Sequence, residues 1–297
     1  MDLRENLVVC IGSPMIDVTA RVRYDLLQKY KLKPNNATSY NKDCSRIFED
    51  LEEYGPKLSV GGSITNTVMS AQSVLPSPHT ICYLGLTGKD DFDLGASAFL
   101  REEFLEKNDI KTVVNQAKYF YLSAFFLRIS YGVIRKICKH VSEKRKVLIF
   151  NIGAPFLCQQ YTKEFEEILP YVNVLIGNEE ESKQLANALN YNISNDTRDI
   201  ALFLLNQCKA TGNATRDTLV IITRGNRSII VASKQRSIEF HVPSLQMKFN
   251  LNTSGAGDYF VGGFLANYIQ SRPIQDCIQA GIALSFKLIK EKTLEID

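Results

Sequence analysis

The chain has 297 residues, 45% of them hydrophobic and 23% charged, with 17 Gly, 9 Pro, no Trp and a formal net charge of +3 at pH 7. This composition excludes a collagen, a low-complexity polymer and a disordered charged tail, and it supplies enough core for one large α/β domain or two modest ones. The charge is mild and no dense Lys/Arg block is present, so nucleic acid is not an expected partner.

The opening stretch MDLRENLVVCIGSPMID holds an apolar run too short for a secretory signal, and no later stretch approaches a membrane span. A cytoplasmic protein off the membrane is expected. Near-continuous apolar runs at 7–11 (LVVCI), 80–84 (TICYL), 119–122 (YFYL), 147–151 (VLIFN), 173–176 (NVLI) and 219–223 (LVIIT) predict buried parallel strands. Between and after them, helical patterns are predicted at 66–74, 93–106, 130–143, 161–168, 179–189, 197–209 and 258–271. Strand then helix, repeated, implies a mostly parallel sheet with helices on both faces. Residues 228–243 break the alternation and read as a strand pair about the polar turn Lys234-Gln235-Arg236. Polar loops are expected at 190–197 and 209–217. With no internal repeat and no Pro/Gly/Ser-rich linker, residues 1–297 are expected to form one domain. The seven cysteines are scattered singly and suggest no disulfide framework, while His79, His140 and His241 form no zinc motif.

The most informative stretch is Asn252-Thr-Ser-Gly-Ala-Gly-Asp-Tyr-Phe. Gly255, Ala256 and Gly257 are small enough for successive backbone N–H groups to converge, and a helical pattern follows at once, so an anion site at a helix N-terminus is expected. Asp258 falls in the first turn. As a dipole partner it would contribute only ~0.3–1 kcal/mol, and a bound phosphate would repel it. A base accepting a proton from a substrate hydroxyl explains it better; an ordinary helix cap is the competing explanation.

This stretch resembles the D-T-x-G-A-G-D-x-F signature of ribokinase-like sugar and nucleoside kinases. Further runs resemble motifs of the same family, in the same order: Gly12-Ser-Pro-Met-Ile-Asp17, Gly61-Gly62-Ser63-Ile-Thr-Asn66, Gly85-Leu-Thr-Gly88-Lys-Asp90-Asp-Phe92, Asn178-Glu-Glu-Glu181 and Thr223-Arg-Gly225. Within the family, Tyr30 to Asn35, Ala124 to Leu127, Ala154 to Phe156 and Leu169 to Val172 are similar to the branch acting on adenosine. The resemblance implies a ribokinase-like three-layer α/β fold with a small, here reduced, β lid, drawn from about 18–60 and around 107–118. It implies ATP-dependent phosphorylation of the 5′-hydroxyl of adenosine in purine salvage, by a monomer. Asp258 would be the base, with the Gly255, Ala256 and Gly257 amides stabilising the moving phosphoryl group. Asp17, Gly62 and Asn66 would hold the ribose, with Ser63 also binding substrate, and Phe126 and Phe156 would pack on the purine. Asn178, Thr223, Gly225 and Asn252 would border ATP, with Asn178 and Glu181 ordering Mg²⁺ through water. Core packing, for the two phenylalanines, and an acidic helix start, for Asn178 and Glu181, are the alternatives.

The chain departs from that family at three places. Ser13 stands where the family has Asn, removing one potential ribose contact. Asn252 replaces an acid associated with a monovalent-cation site, which bears on cation activation. Several dozen residues of the family's lid have no counterpart between Lys111 and Lys118, and the family's purine-contacting residues have none near Ala37-Thr-Ser39. Another ribokinase-like kinase, or a lid-deficient nucleoside-binding relative with little activity, is therefore the alternative function.

Overall fold

The computed structural model describes residues 3–32, 46–85, 102–191, 194–208, 217–234, 237–243 and 251–294. Gly88, Asp90 and Phe92, residues 35 and 37–39, most of the helix expected at 93–106, part of the turn at 234–236 and most of the loop at 209–217 lie outside them.

The described residues form two compact units, 1–14 with 63–297 and 15–62. In the larger unit, strands β1 (Val8–Gly12), β4 (Ile81–Gly85), β5 (Tyr119–Ser123), β6 (Val147–Asn151), β7 (Val174–Asn178) and β8 (Leu219–Arg224) are parallel in the order β4-β1-β5-β6-β7-β8. Strands β9 (Arg227–Ser233) and β10 (Ser237–Phe240) extend the sheet antiparallel, as the strand-pair reading expects.

Successive side chains point to opposite faces of a strand, and here both faces are apolar. Val9 and Ile11, Phe120 and Leu122, Leu148 and Phe150, and Val220 and Ile222 enter one core; Val8 and Cys10, Tyr119 and Tyr121, Val147 and Ile149, and Leu219 and Ile221 enter the other. The first core is covered by α5 (Tyr131–Glu143), α6 (Pro155–Gln160), α7 (Thr162–Ile168), α8 (Glu179–Ala188) and α9 (Thr197–Gln207). The second is covered by α3 (Ser63–Gln72), α10 (Ala256–Ile269) and α11 (Ile274–Leu294). Helix α5 shows why such segments are helical. Val133, Ile134, Ile137, Cys138 and Val141 form one buried stripe, and the Ser130 hydroxyl accepts the Val133 amide at 3.3 Å, capping the first turn. The described cysteines are buried, apart from the partly buried Cys82.

The smaller unit holds an antiparallel ribbon of β2 (Met15–Thr19) and β3 (Lys57–Gly61) with helices α1 (Tyr24–Lys29) and α2 (Ile47–Glu52). Leu26 and Tyr30 pack there against Ile47, Leu51 and Tyr54. Residues 15–62, which take in the stretch at about 18–60 where a lid was expected, have their own small core. The lid expectation at 107–118 is corrected. That stretch is helix α4 (Asn108–Gln116) and the approach to β5, and α4 buries Val114 in the core of the larger unit.

Candidate active site

Open parallel sheets offer ligands a crevice at the carboxyl ends of their strands, where the strand order reverses. In the larger unit β1 is followed in sequence by β4 on one side and β5 on the other. Along the carboxyl ends of β6, β7 and β8 lies a cleft of about 300 Å³, lined there by Asn151, Gly153, Gly177, Asn178 and Thr223, with Ser63, Glu181, Gly255, Gly257 and Asp258.

Gly255 is the N-cap of α10 and has φ +81°, the left-handed region that favours glycine. A cap without a side chain leaves the first-turn amides to the cleft. The expected trio is corrected at one member. The Ala256 amide donates to Thr253 O at 3.1 Å and Ala256 faces the neighbouring cavity, whereas Gly255 and Gly257 line the cleft.

Asp258 sits where α3 and α10 meet. Ser63 Oγ donates to Asp258 Oδ1 at 2.6 Å, Asn66 Nδ2 donates to Oδ2 at 3.2 Å, and Thr67 Oγ1 donates to the Asp258 carbonyl at 3.2 Å. Residues 63, 66 and 67 share a helix face because they stand three and four apart. Ser63 and Asn66, expected on the substrate, are thus the groups that orient the carboxylate.

Asn178 and Glu181 form a reciprocal capping box at the start of α8. Glu181 N donates to Asn178 Oδ1 at 2.8 Å, while Asn178 N and Nδ2 donate to the two Glu181 oxygens at 2.9 and 2.7 Å. Burial pushes the Glu181 carboxyl up to about 6; the Asn178 amide opposes the shift and the Asp258 charge adds to it.

A second cavity of about 480 Å³ shares Thr223, Gly257 and Phe260 with the cleft and is lined mainly by Gly225, Val242, Leu251, Phe286 and Ile289. Thr223 and Gly225, expected to border a nucleotide, both line this cavity. Asn252 does not line it; its Oδ1 accepts the Ser254 amide at 3.1 Å.

Phe126 is corrected from purine contact to core residue, 3% exposed. Its neighbour Phe125 lines the cleft, edge-to-face with Phe156 at 6.4 Å between centroids. The short 3₁₀ turn at Ala124–Arg128 decides which ring faces in. Asn151 and Gly153 escaped the sequence reading; Asn151 closes β6 and its Nδ2 donates to the buried Tyr121 Oη at 3.4 Å, and its position at a strand end was the available signal. Asp17 and Gly62 belong to the smaller unit, where Asp17 pairs with Ser59 in the β2–β3 ribbon.

Residues 92–294 match the pfkB family of carbohydrate kinases. The chain belongs to that family. Among its relatives is adenosine kinase 1 of Arabidopsis thaliana, 26% identical over 328 residues, with 96% of this chain and 94% of that protein covered. The adenosine kinase of Dictyostelium discoideum is 26% identical with the same coverage. The crystal structure of Anopheles gambiae adenosine kinase in complex with P1,P4-di(adenosine-5) tetraphosphate is 30% identical and superposes with a TM-score of 0.89, covering 97% of this chain and 96% of that one. Schistosoma mansoni adenosine kinase in complex with adenosine and AMP is 24% identical with a TM-score of 0.86, covering 97% and 96%, a likeness of fold.

Proposed function

We propose that this chain transfers the γ-phosphoryl group of ATP to the 5′-hydroxyl of adenosine, giving AMP and ADP. The observation that carries the reading is the Asp258 carboxylate, oriented by Ser63 and Asn66, beside the left-handed Gly255 at the start of α10. Phosphoryl transfer asks a protein mainly for positioning and charge stabilisation. Asp258 accepts the 5′-hydroxyl proton as that oxygen bonds to the γ-phosphorus. The bond from phosphorus to the β-bridging oxygen breaks and ADP departs. The Gly255 and Gly257 amides stabilise charge on the moving group.

The apolar cavity beside Thr223 and Gly225 suits the base of ATP, and Phe125 with Phe156 suits the purine of the acceptor. The ribose roles of Asp17 and Gly62 rest on their sequence motifs. The site's donors fit Mg²⁺ held at one remove. Glu181 is buried with both oxygens on Asn178 amides, and no group of three or more His, Cys, Asp or Glu placed to hold a metal ion is found among the described residues. Asn178 and Glu181 would therefore hold waters of the ion rather than the ion itself. When bound, it would neutralise phosphate charge.

The test is AMP formation from adenosine and ATP by the parent and by Asp258→Asn. Turnover falling about 10²–10⁴-fold with adenosine binding retained supports the reading; undiminished turnover removes Asp258 from it. A comparison of kcat/KM on adenosine, inosine and ribose separates this activity from that of another sugar or nucleoside kinase. One observation favours a nucleoside binder with little turnover. The alignment with the Arabidopsis enzyme runs over 328 positions against 297 residues here, so it contains residues this chain lacks. That reading predicts tight adenosine binding without AMP.

A further inference from the structure

Helix α11 holds the start of α10 and the loop before it at three points. Ser285 Oγ donates to Ala256 O at 2.7 Å, Thr293 Oγ1 accepts the Asn252 amide at 3.4 Å, and Lys292 Nζ donates to Ser254 O at 3.1 Å. The first two are neutral contacts. The third places a full positive charge beside the anion site, and no carboxylate among the described residues pairs with it; the neighbouring Glu291 faces Lys287 at 4.0 Å. A Cβ built on Gly255 would lie 3.8 Å from Lys292 Nζ and 3.9 Å from Asn66 Nδ2, so the ammonium and the amide that orients Asp258 both border this one glycine.

The Ser254 carbonyl and the Gly255 N–H belong to one trans peptide and point in opposite directions. An ammonium drawing on the carbonyl oxygen therefore fixes where the Gly255 N–H points and polarises it as a donor. Gly255 lines the cleft in which the proposed reaction needs donors. We infer that Lys292 is a positioning residue for phosphoryl transfer: it aligns and polarises the Gly255 amide and keeps a positive charge beside the phosphates. The inference rests on the phosphoryl-transfer reading of this cleft, and it assigns to α11 a part that none of the motifs carries.

The experiment compares the full-length parent with Lys292→Met, which keeps the apolar stem, and Lys292→Arg, which keeps the charge. Steady-state kinetics, adenosine binding and ATP binding are measured on all three. Lys292→Met is expected to lower kcat about tenfold and to weaken ATP binding, with adenosine affinity changed less than about twofold and Lys292→Arg recovering most of both losses. Parental kcat and ATP affinity in Lys292→Met overturn the inference. So does equal loss of adenosine and ATP binding, the result of a merely structural contact, or failure of the Arg variant to recover activity while it binds adenosine normally. Should the parent make no AMP, the kinase reading fails on its own. Inorganic tripolyphosphate binding to the parent and to Lys292→Met then decides the lysine's part, equal affinities overturning it.

Discussion

Asp258 and Glu181 line one cleft, and their environments separate them. Asp258 is oriented by a serine hydroxyl and an asparagine amide, whereas Glu181 is buried against its own helix start and its pKa is raised. The sign for stability follows. Between the ordinary carboxyl value of 4.5 and about 6, the folded chain binds a proton more readily than the unfolded one, so this contribution to stability is full below 4.5 and lost as pH rises through 6. Replacing Glu181 by Gln removes that dependence. The stability of Glu181→Gln relative to the parent should rise by about 2 kcal/mol from pH 4.5 to 7. Urea unfolding across that range measures it, and a difference constant with pH would contradict the burial argument.

The middle of α10 packs against the C-terminal end of α3 and the first half of α11 through residues that lack bulk. A Cβ on Gly262 would overlap Ser70 Oγ and lie 2.9 Å from the Ala71 amide nitrogen; one on Gly263 would overlap Ala280 O and lie 2.9 Å from Gly281 Cα. The obstacle at Gly263 is backbone, which no rotamer change can relieve, so α11 would have to move away from α10. Gly263→Ala should therefore destabilise the chain by about 1–3 kcal/mol despite the higher helix propensity of alanine, with the loss visible in the melting temperature. An unchanged or raised melting temperature would mean that this helix pair can separate freely. Because α11 also carries Lys292, the same variant should lose turnover more steeply than stability alone requires.

Among the described residues, the hydrophobic clusters share no member. Both large cores draw only on residues 1–14 and 63–297, and the small cluster around Leu26 and Tyr30 only on 15–62. The ends of the larger unit's two segments lie close, since a Cβ on Gly12 would stand 2.7 Å from Ile64 Cβ. Replacing 15–62 by a short Gly/Ser linker should leave a sheet that unfolds cooperatively, because none of its core is removed. If Asp17 and Gly62 have the ribose roles proposed for them, the shortened chain should form no AMP. Circular dichroism through a urea titration tests the first point and product analysis the second; a non-cooperative transition would show that the larger unit depends on the smaller.

Much of this architecture was legible in one dimension. Strands β1, β5, β6, β7 and β8 follow from apolar runs alone, since a parallel strand covered on both faces has little room for polar residues. The glycine-rich turn and the Asn178–Glu181 spacing mark helix starts through rules that reach only three or four residues. What those rules cannot reach is contact between distant segments. Ser63 and Asp258 are 195 positions apart, yet the serine hydroxyl orients the carboxylate. Phe125 and Phe126 are neighbours of one type, and only the turn they occupy sends one ring to the cleft and the other to the core. Lys292 reads as one more surface lysine until α11 lies along α10 and carries its charge to the Ser254 carbonyl. Hydrophobic periodicity is a local property of the chain, whereas the meeting of a carboxylate, a peptide dipole and an ammonium depends on how whole helices pack.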